Sequence, residues 1–469
     1  MDIKSLLENY IDENFQKILE DIRKIVNIKT VKGEQLPNAP FGLNIKKALE
    51  ETLKIGENLG FKSVNLDNYI GYIEDGIGEE YIGVLGHLDV VPEGDHSQWE
   101  VSPFSGEVIN NELIGRGVLD NKGPIISAMY SLKALKECVP EFNSKVRIIF
   151  GTNEESGDED IKYYLIKEKP PKYAFTPDGQ FPVVFSEKGI YTFLYKQNIV
   201  YENTNLLGIE GGNKSNVVPG ECISKVKNIS MEKIKEIIEY MGDIPCKFTL
   251  DKENSYIKIL CEGTPAHGSS PNRGVNPIIW TCKLLNNLLD KEDSLKNFVN
   301  FIESKVGLEN NGEHLNIKKE NEETGDLTIS CGIIKMDKNK IEAKFNIRHP
   351  INISKENISE NLKIVGNENS IEFIMGNYNP PLYFPKDSYL VKTLQKIFKD
   401  VTKREDTPVA LGGGTYAKLM PNTVAFGPNY KEYKGNPHGY NEKIDLNMLK
   451  EGMVMYALGI YYLSKKGEN

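Results

Sequence analysis

Tyr81-Ile82-Gly83-Val84-Leu85-Gly86-His87-Leu88-Asp89-Val90-Val91-Pro92 carries an apolar run straight into a histidine and an aspartate. Tyr81 to Leu85 has the composition of a buried strand, and Gly-His-x-Asp puts polar groups where that strand would end. Side chains two positions apart leave a strand on the same side, so His87 and Asp89 can be neighbours there. Helical periodicity is clear in Ile3 to Val26 and in Ile45 to Leu59, where Gly60 supplies a stop signal. Tyr69 to Glu74 is a further strand candidate. Downstream come a helix from near Gly123 to Cys138, a strand at Val146 to Phe150, a short helix at Asp158 to Glu168 and a strand before Pro177. This alternation implies an α/β layer with a partly parallel sheet, in which ligands gather at the C-terminal ends of strands.

Near Glu187 the texture changes. From Gly189 to Asn379 the chain is rich in Lys, Asn, Ile and Glu and holds two comparable runs of strands and helices, although no residue-level repeat is visible. The α/β texture returns after Pro380-Pro381, with helices at Tyr389 to Val401 and Leu446 to Leu463. The economical reading is a catalytic domain in two parts, residues 1–187 and 382–469, interrupted by an inserted α+β lid domain, 188–381, of two similar halves.

The chain has 469 residues, 39% hydrophobic and 26% charged, with a formal net charge of −10. At that length two domains are the default. The acidic balance argues against nucleic-acid and anionic-membrane partners. No run approaches the roughly 18 uninterrupted apolar residues of a membrane span, and Met1 to Phe15 lacks the continuous apolar stretch of a secretory signal. Six cysteines without C-x-x-C spacing read as free thiols in a reducing compartment. The expectation is a cytoplasmic protein.

Further segments set acidic residues or histidine beside glycine. In Gly115-Arg116-Gly117-Val118-Leu119-Asp120-Asn121-Lys122-Gly123, Asp120 stands where a turn enters a helix and has two oxygens to offer two metal ions; a plain helix cap is the other reading. Gly151-Thr152-Asn153-Glu154-Glu155-Ser156-Gly157 places adjacent glutamates after an apolar strand, one able to bind metal while the other handles protons, or both simply solvated. Thr176-Pro177-Asp178-Gly179 is also a common β-turn sequence, and Asn436-Pro437-His438-Gly439 holds a histidine in a tight loop. Singly these are weak. Together they offer two His, two Asp and a Glu, a set that suits a zinc pair.

These segments resemble the M20 metallopeptidase family, and within it the PepV-like dipeptidase branch. The likeness continues through GTPAHGSSP at Gly263, NIRHP at Asn346, ALGGGTYAK at Ala410 and PHGYNE at Pro437. The resemblance implies two zinc ions per chain, one held by His87 and Asp178, the other by Glu155 and His438, with Asp120 bridging them across a cis Asp120–Asn121 peptide. Cobalt or manganese would suit the same ligands. Asp89 would support His87, and Glu154 would be the general base toward a metal-bridged water. In the lid it implies His267 as oxyanion donor and Asn216 and Arg348 as substrate contacts. Gly413, Gly414 and Thr415 would add binding groups from a glycine run, which otherwise reads as a flexible turn.

The resulting expectation is a monomeric zinc-dependent dipeptidase acting on small peptides, including Xaa-His or β-alanyl dipeptides. The alternative within the same chemistry is an N-acyl-amino-acid deacylase or succinyl-diaminopimelate desuccinylase. A non-catalytic binding protein on the same fold is the third.

Overall fold

The computed structural model describes residues 2–199 and 204–465. The chain divides into two compact units: Met1–Ser186 with Tyr383–Val409 and Thr415–Asn469, and Glu187–Leu382 with Ala410–Gly414.

The first unit is built on a mixed sheet whose strands run in the order Lys62–Leu66, Ile70–Asp75, Ser144–Gly151, Ile77–His87, Tyr173–Thr176, Thr423–Ala425, Val184–Glu187. The four strands from Ser144–Gly151 to Thr423–Ala425 are mutually parallel, so their C-terminal ends share one edge. The sequence dictates this centre: Val84, Leu85, Val146, Ile148, Ile149, Phe150, Ala174 and Phe175 are all buried, as strands covered on both faces require. The Lys122–Cys138 helix is buried over most of its length and packs on the sheet and against the Ile3–Val26 and Leu446–Ser464 helices. Pro124 sits in its first turn, where no intrahelical N–H is needed. Asp445 caps the last helix by accepting from the Asn447 and Met448 amides, each at 2.9 Å.

The second unit holds an eight-stranded sheet, ordered Lys247–Lys252, Ile257–Glu262, Glu221–Val226, Leu206–Gly211, Thr328–Met336, Lys340–His349, Gly189–Asn198, Glu372–Asn379. All of its pairings are antiparallel. Each half reads as a hairpin, a helix and an edge strand: Leu206–Gly211, Glu221–Val226, Met231–Tyr240 and Lys247–Lys252 in one, Thr328–Met336, Lys340–His349, Lys355–Glu368 and Glu372–Asn379 in the other. The two hairpins meet at the middle of the sheet, and one continuous core runs through both halves, from Cys222, Ile259 and Leu285 to Phe193, Phe345 and Leu362.

Candidate metal centre

The parallel strands of the first unit deliver the site. His87 is the last residue of its strand and lies in register with Gly151 of the neighbouring one. Glu154 and Glu155 occupy the 3-10 turn that follows Gly151, and Asp178 comes two residues after the strand ending at Thr176. Asp120 precedes the Lys122–Cys138 helix, and its peptide bond to Asn121 is cis. A β-carbon on Gly86 would stand 2.2 Å from Asn121 Oδ1, so the strand must carry glycine there to admit the helix start. His438 comes from a surface loop in which both it and Asn436 adopt positive φ, 63° and 55°.

These distant stretches converge. His87 Nε2 lies 3.0 Å from Asp120 Oδ1 and 3.7 Å from Asp178 Oδ2. His438 Nε2 lies 3.0 Å from Asp120 Oδ2 and 3.0 Å from Glu155 Oε1. Asp120 therefore turns one oxygen to each histidine. Among the described residues, His87, Glu154 and Asp178 form one group whose donor atoms all lie within 4.8 Å of one another, and His87, Asp120 and Glu155 form a second.

The electrostatics of this cluster suit a cation. Burial first, and then neighbouring carboxylates, hold Glu154 well above the usual carboxylate range, lift Glu155 to about 7 and raise Asp178. Burial acts the same way on Asp120, but the His438 and His87 imidazoles override it and take this carboxyl well below its ordinary value. Burial disfavours charge on the imidazoles in turn, yet Asp120 and Glu155 push His438 up to about 11, and Asp120 and Asp178 carry His87 well above its ordinary value. Four carboxylates thus crowd two imidazoles. Ligands about 2.1 Å from a tetrahedral zinc ion stand roughly 3.4 Å apart. The 3.0–3.7 Å donor spacing here brackets that value, so the residues present fit the metal.

Asp89 has a double position. The His87 Nδ1 donates to the Asp89 backbone oxygen at 2.9 Å, and the Asp89 carboxylate lies 3.5 Å from the same nitrogen. That carboxylate is engaged elsewhere: its two oxygens accept from the backbone amides of Glu154 and Glu155, at 3.1 Å each. It orients the glutamate turn as well as the histidine. Asp160 does comparable work one step further out, accepting from the Thr152 and Asn153 amides at 2.5 and 2.9 Å and from the Tyr416 hydroxyl.

Two more residues have no counterpart in the motif reading. Glu442 is fully buried; one carboxylate oxygen accepts from the amides of Gly117, Leu119 and Asp120, at 3.0 Å each, and the other from Arg116 Nη1 at 2.7 Å. Both residues lie within quoted motifs. For Arg116 the available signal was a charge in a glycine-rich, apolar setting, which needs a partner when buried, whereas Glu442, between Asn441 and Lys443, carried no such signal.

The remaining candidates belong to the second unit, Thr415 excepted. His267 pairs with Val217, next to Asn216, and the Gly268 amide donates to the Asn216 carbonyl at 2.7 Å. His267 and Asn216 are exposed, and the His267 Nδ1 lies 2.7 Å from Ser269 Oγ. Arg348 is buried and donates to Asn346 Oδ1 at 2.8 Å and to the Gly412 carbonyl at 3.0 Å. Burial lowers it to about 10. A β-carbon on Gly412 would meet that of Ser269 at 2.9 Å, so these residues share one neighbourhood. Gly413 faces open space and Gly414 is exposed. Thr415 caps the Tyr416–Lys418 turn through the Ala417 amide.

The sequence profile of peptidase family M20/M25/M40 matches residues 83–461. The chain belongs to this family. Among M20 relatives, one from Bacillus subtilis (strain 168), named "Putative dipeptidase YtjP", is 31% identical over 460 residues, covering 96% of this chain and 98% of the relative. One from Staphylococcus epidermidis (strain ATCC 12228), named "Putative dipeptidase", is 33% identical over 459 residues, covering 95% and 97%. Human carnosine dipeptidase 1 shares the fold with a TM-score of 0.61 at 15% identity, covering 99% of both chains. The M20 chain described here has no helix long and apolar enough to cross a membrane among its described residues.

Proposed function

We propose that this M20 chain is a di-zinc dipeptidase. The observation that carries the reading is the position of Asp120, whose two oxygens each stand 3.0 Å from a different histidine. A carboxylate so shared suits two cations and not one. His87 and Asp178 would hold the first ion, Glu155 and His438 the second, and Asp120 both. Zinc in such a pair supplies Lewis-acid polarisation of the amide carbonyl and activation of water near neutral pH.

The chain's own groups supply the rest. Glu154, half-buried beside the ligands and raised by its desolvation there, takes a proton from the attacking water and returns it to the leaving amine. Asp89 keeps the Glu154–Glu155 turn and the His87 ring in place through its two sets of hydrogen bonds. On the second unit, proposed as the lid, His267 is the donor toward the developing oxyanion. Asn216, Arg348, Gly413 and Gly414, with Thr415, are the substrate contacts. Arg348, a buried cation whose two hydrogen-bond acceptors are both neutral, suits a peptide C-terminal carboxylate.

The substrate class rests on relatives named as dipeptidases. A panel of free-amine dipeptides, β-alanyl and Xaa-His members included, against N-acylated amino acids tests it with metal-stripped and zinc-restored protein. Hydrolysis of the dipeptides only after zinc is restored is expected, and turnover of the acylated set alone would assign the chain to the deacylase chemistry. Glu154→Gln should lower kcat by about 10²–10⁴-fold. The chain is proposed to act as a cytoplasmic monomer; mixing inactive His267→Ala and Glu154→Ala chains should restore no activity, and recovery would mean a shared site.

A further inference from the structure

We infer that Glu442 and Arg116 are positioning residues: as a pair they hold the Asp120 loop and the His438 loop at the spacing that cation binding requires. The inference rests on the cation reading proposed above and adds to it two residues that touch no proposed ligand side chain.

The hydrogen bonds define the device. Glu442 Oε1 gathers three amides, those of Gly117, Leu119 and Asp120 itself, at 3.0 Å each. Its backbone oxygen accepts from the Gly115 amide at 2.9 Å, and Arg116 Nη1 donates to its second carboxylate oxygen at 2.7 Å, so five of the six residues from Gly115 to Asp120 bond to one glutamate. Arg116 then reaches the other loop. Its Nη2 donates to the carbonyl of Gly439 at 2.9 Å, and Gly439 is the residue after His438. The guanidinium is further fixed over the Trp99 ring, 5.3 Å from its centroid, and its own amide donates to Pro103 at 2.7 Å. Both side chains are buried, at 0% and 1% exposure.

A buried ion pair alone is weak evidence of anything but architecture, since burial costs about what the pairing returns. The origin of its other partners is what distinguishes this one. Glu442 accepts from the backbone amide of Asp120, whose two oxygens face His87 and His438, and Arg116 donates to the Gly439 carbonyl in the loop that carries His438. The His438 side chain is itself 54% exposed. Sites of this kind need their groups held to within about half an ångström, and here one salt bridge joins the backbones on both sides of the Asp120–His438 contact.

The test uses the full chain, stripped of metal and titrated with zinc against a competing chelator, with cobalt absorption as a second readout. Glu442→Gln keeps an oxygen for the three amides and removes the charge facing Arg116. It is expected to fold, to bind zinc about 10–100-fold more weakly, to change the cobalt spectrum, and to lose kcat more than it raises KM. Should Glu442→Gln fail to fold, Arg116→Lys leaves the three amide bonds in place and is read the same way. A lowered melting temperature with wild-type zinc affinity and cobalt spectrum would make the pair merely structural and overturn the inference. A wild-type chain that takes up no cation would sink the cation reading first, and this one with it.

Discussion

Two carboxylates outside the ligand set respond to pH with opposite sign. Asp160 is buried, and burial, aided by the nearby Asp89 charge, raises it to about 6 against the hydrogen bonds it accepts. Its folded state binds the proton more tightly than the unfolded chain does, so its contribution is fully present below the ordinary value of 3.8 and is lost as pH rises through 6. Glu93 is the reverse. Burial would raise it, but the Lys29 ammonium, with His96, holds it at about 2. Its contribution is present above 4.5 and disappears as pH falls toward 2. Urea unfolding across pH should show the wild type losing stability between pH 4 and 6 more steeply than Asp160→Asn, and below pH 4 more steeply than Glu93→Gln. At the same scale Tyr416→Phe removes a buried donor to Asp160 and should cost about 1–3 kcal/mol in the same assay. Each proposed ligand stands after an apolar strand or beside a glycine, a weak mark singly, and the set was legible only from the segments together and from their family resemblance. Glu442, Arg116, Asp160 and Tyr416 were not, because their partners lie 326 and 256 positions away and no local pattern records such a pairing.

Strand ends and helix starts carry the next level. The helices announced themselves by period: the Ile3–Val26 reading matches the observed span, and Ile45 to Leu59 differs from Leu43–Asn58 by one or two residues. Short strands did not. Lys62–Leu66, Val184–Glu187 and Thr423–Ala425 have three to five residues, too few for alternation to show, and Thr423–Ala425 is buried throughout. Between elements, close approach replaces pattern. Gly86 lets the start of the Lys122–Cys138 helix lie against the strand that ends in His87. Gly86→Ala must displace Asn121, whose side chain also donates to the Pro177 carbonyl beside Asp178. It should destabilise by about 1–3 kcal/mol, seen as a lowered urea midpoint, and weaken zinc uptake in a chelator competition. Unchanged zinc affinity would mean the loop accommodates the methyl group without moving Asp120.

For the molecule as a whole, the mixed sheet, the inserted segment and its two-part pattern were readable from changes in texture, since a parallel buried sheet and a solvent-facing antiparallel one draw on different residues. The inclusion of Ala410–Gly414 in the second unit was not; five residues late in the chain carry no compositional mark of their own. If the proposed cations bind the folded state alone, they stabilise it in proportion to RT ln(1 + [Zn]/Kd), about 2.7 kcal/mol at a hundredfold excess over Kd. Chelator-stripped protein should then melt at a lower temperature that climbs with added zinc, and a melting curve indifferent to zinc would argue against the paired site.

The Thr423–Ala425 strand lies between Tyr173–Thr176 and Val184–Glu187, a place its neighbours must keep open during synthesis. On the ribosome both flanking strands emerge long before their missing partner, and the nearly two hundred residues of the second unit (Glu187–Leu382) are made in the interval. That unit has its own core and can fold while the first waits with an unfilled gap in its sheet, a template for pairing with other chains. A chain halted at 410 should therefore aggregate from its first unit, whereas residues 187–382 expressed alone should stay in solution.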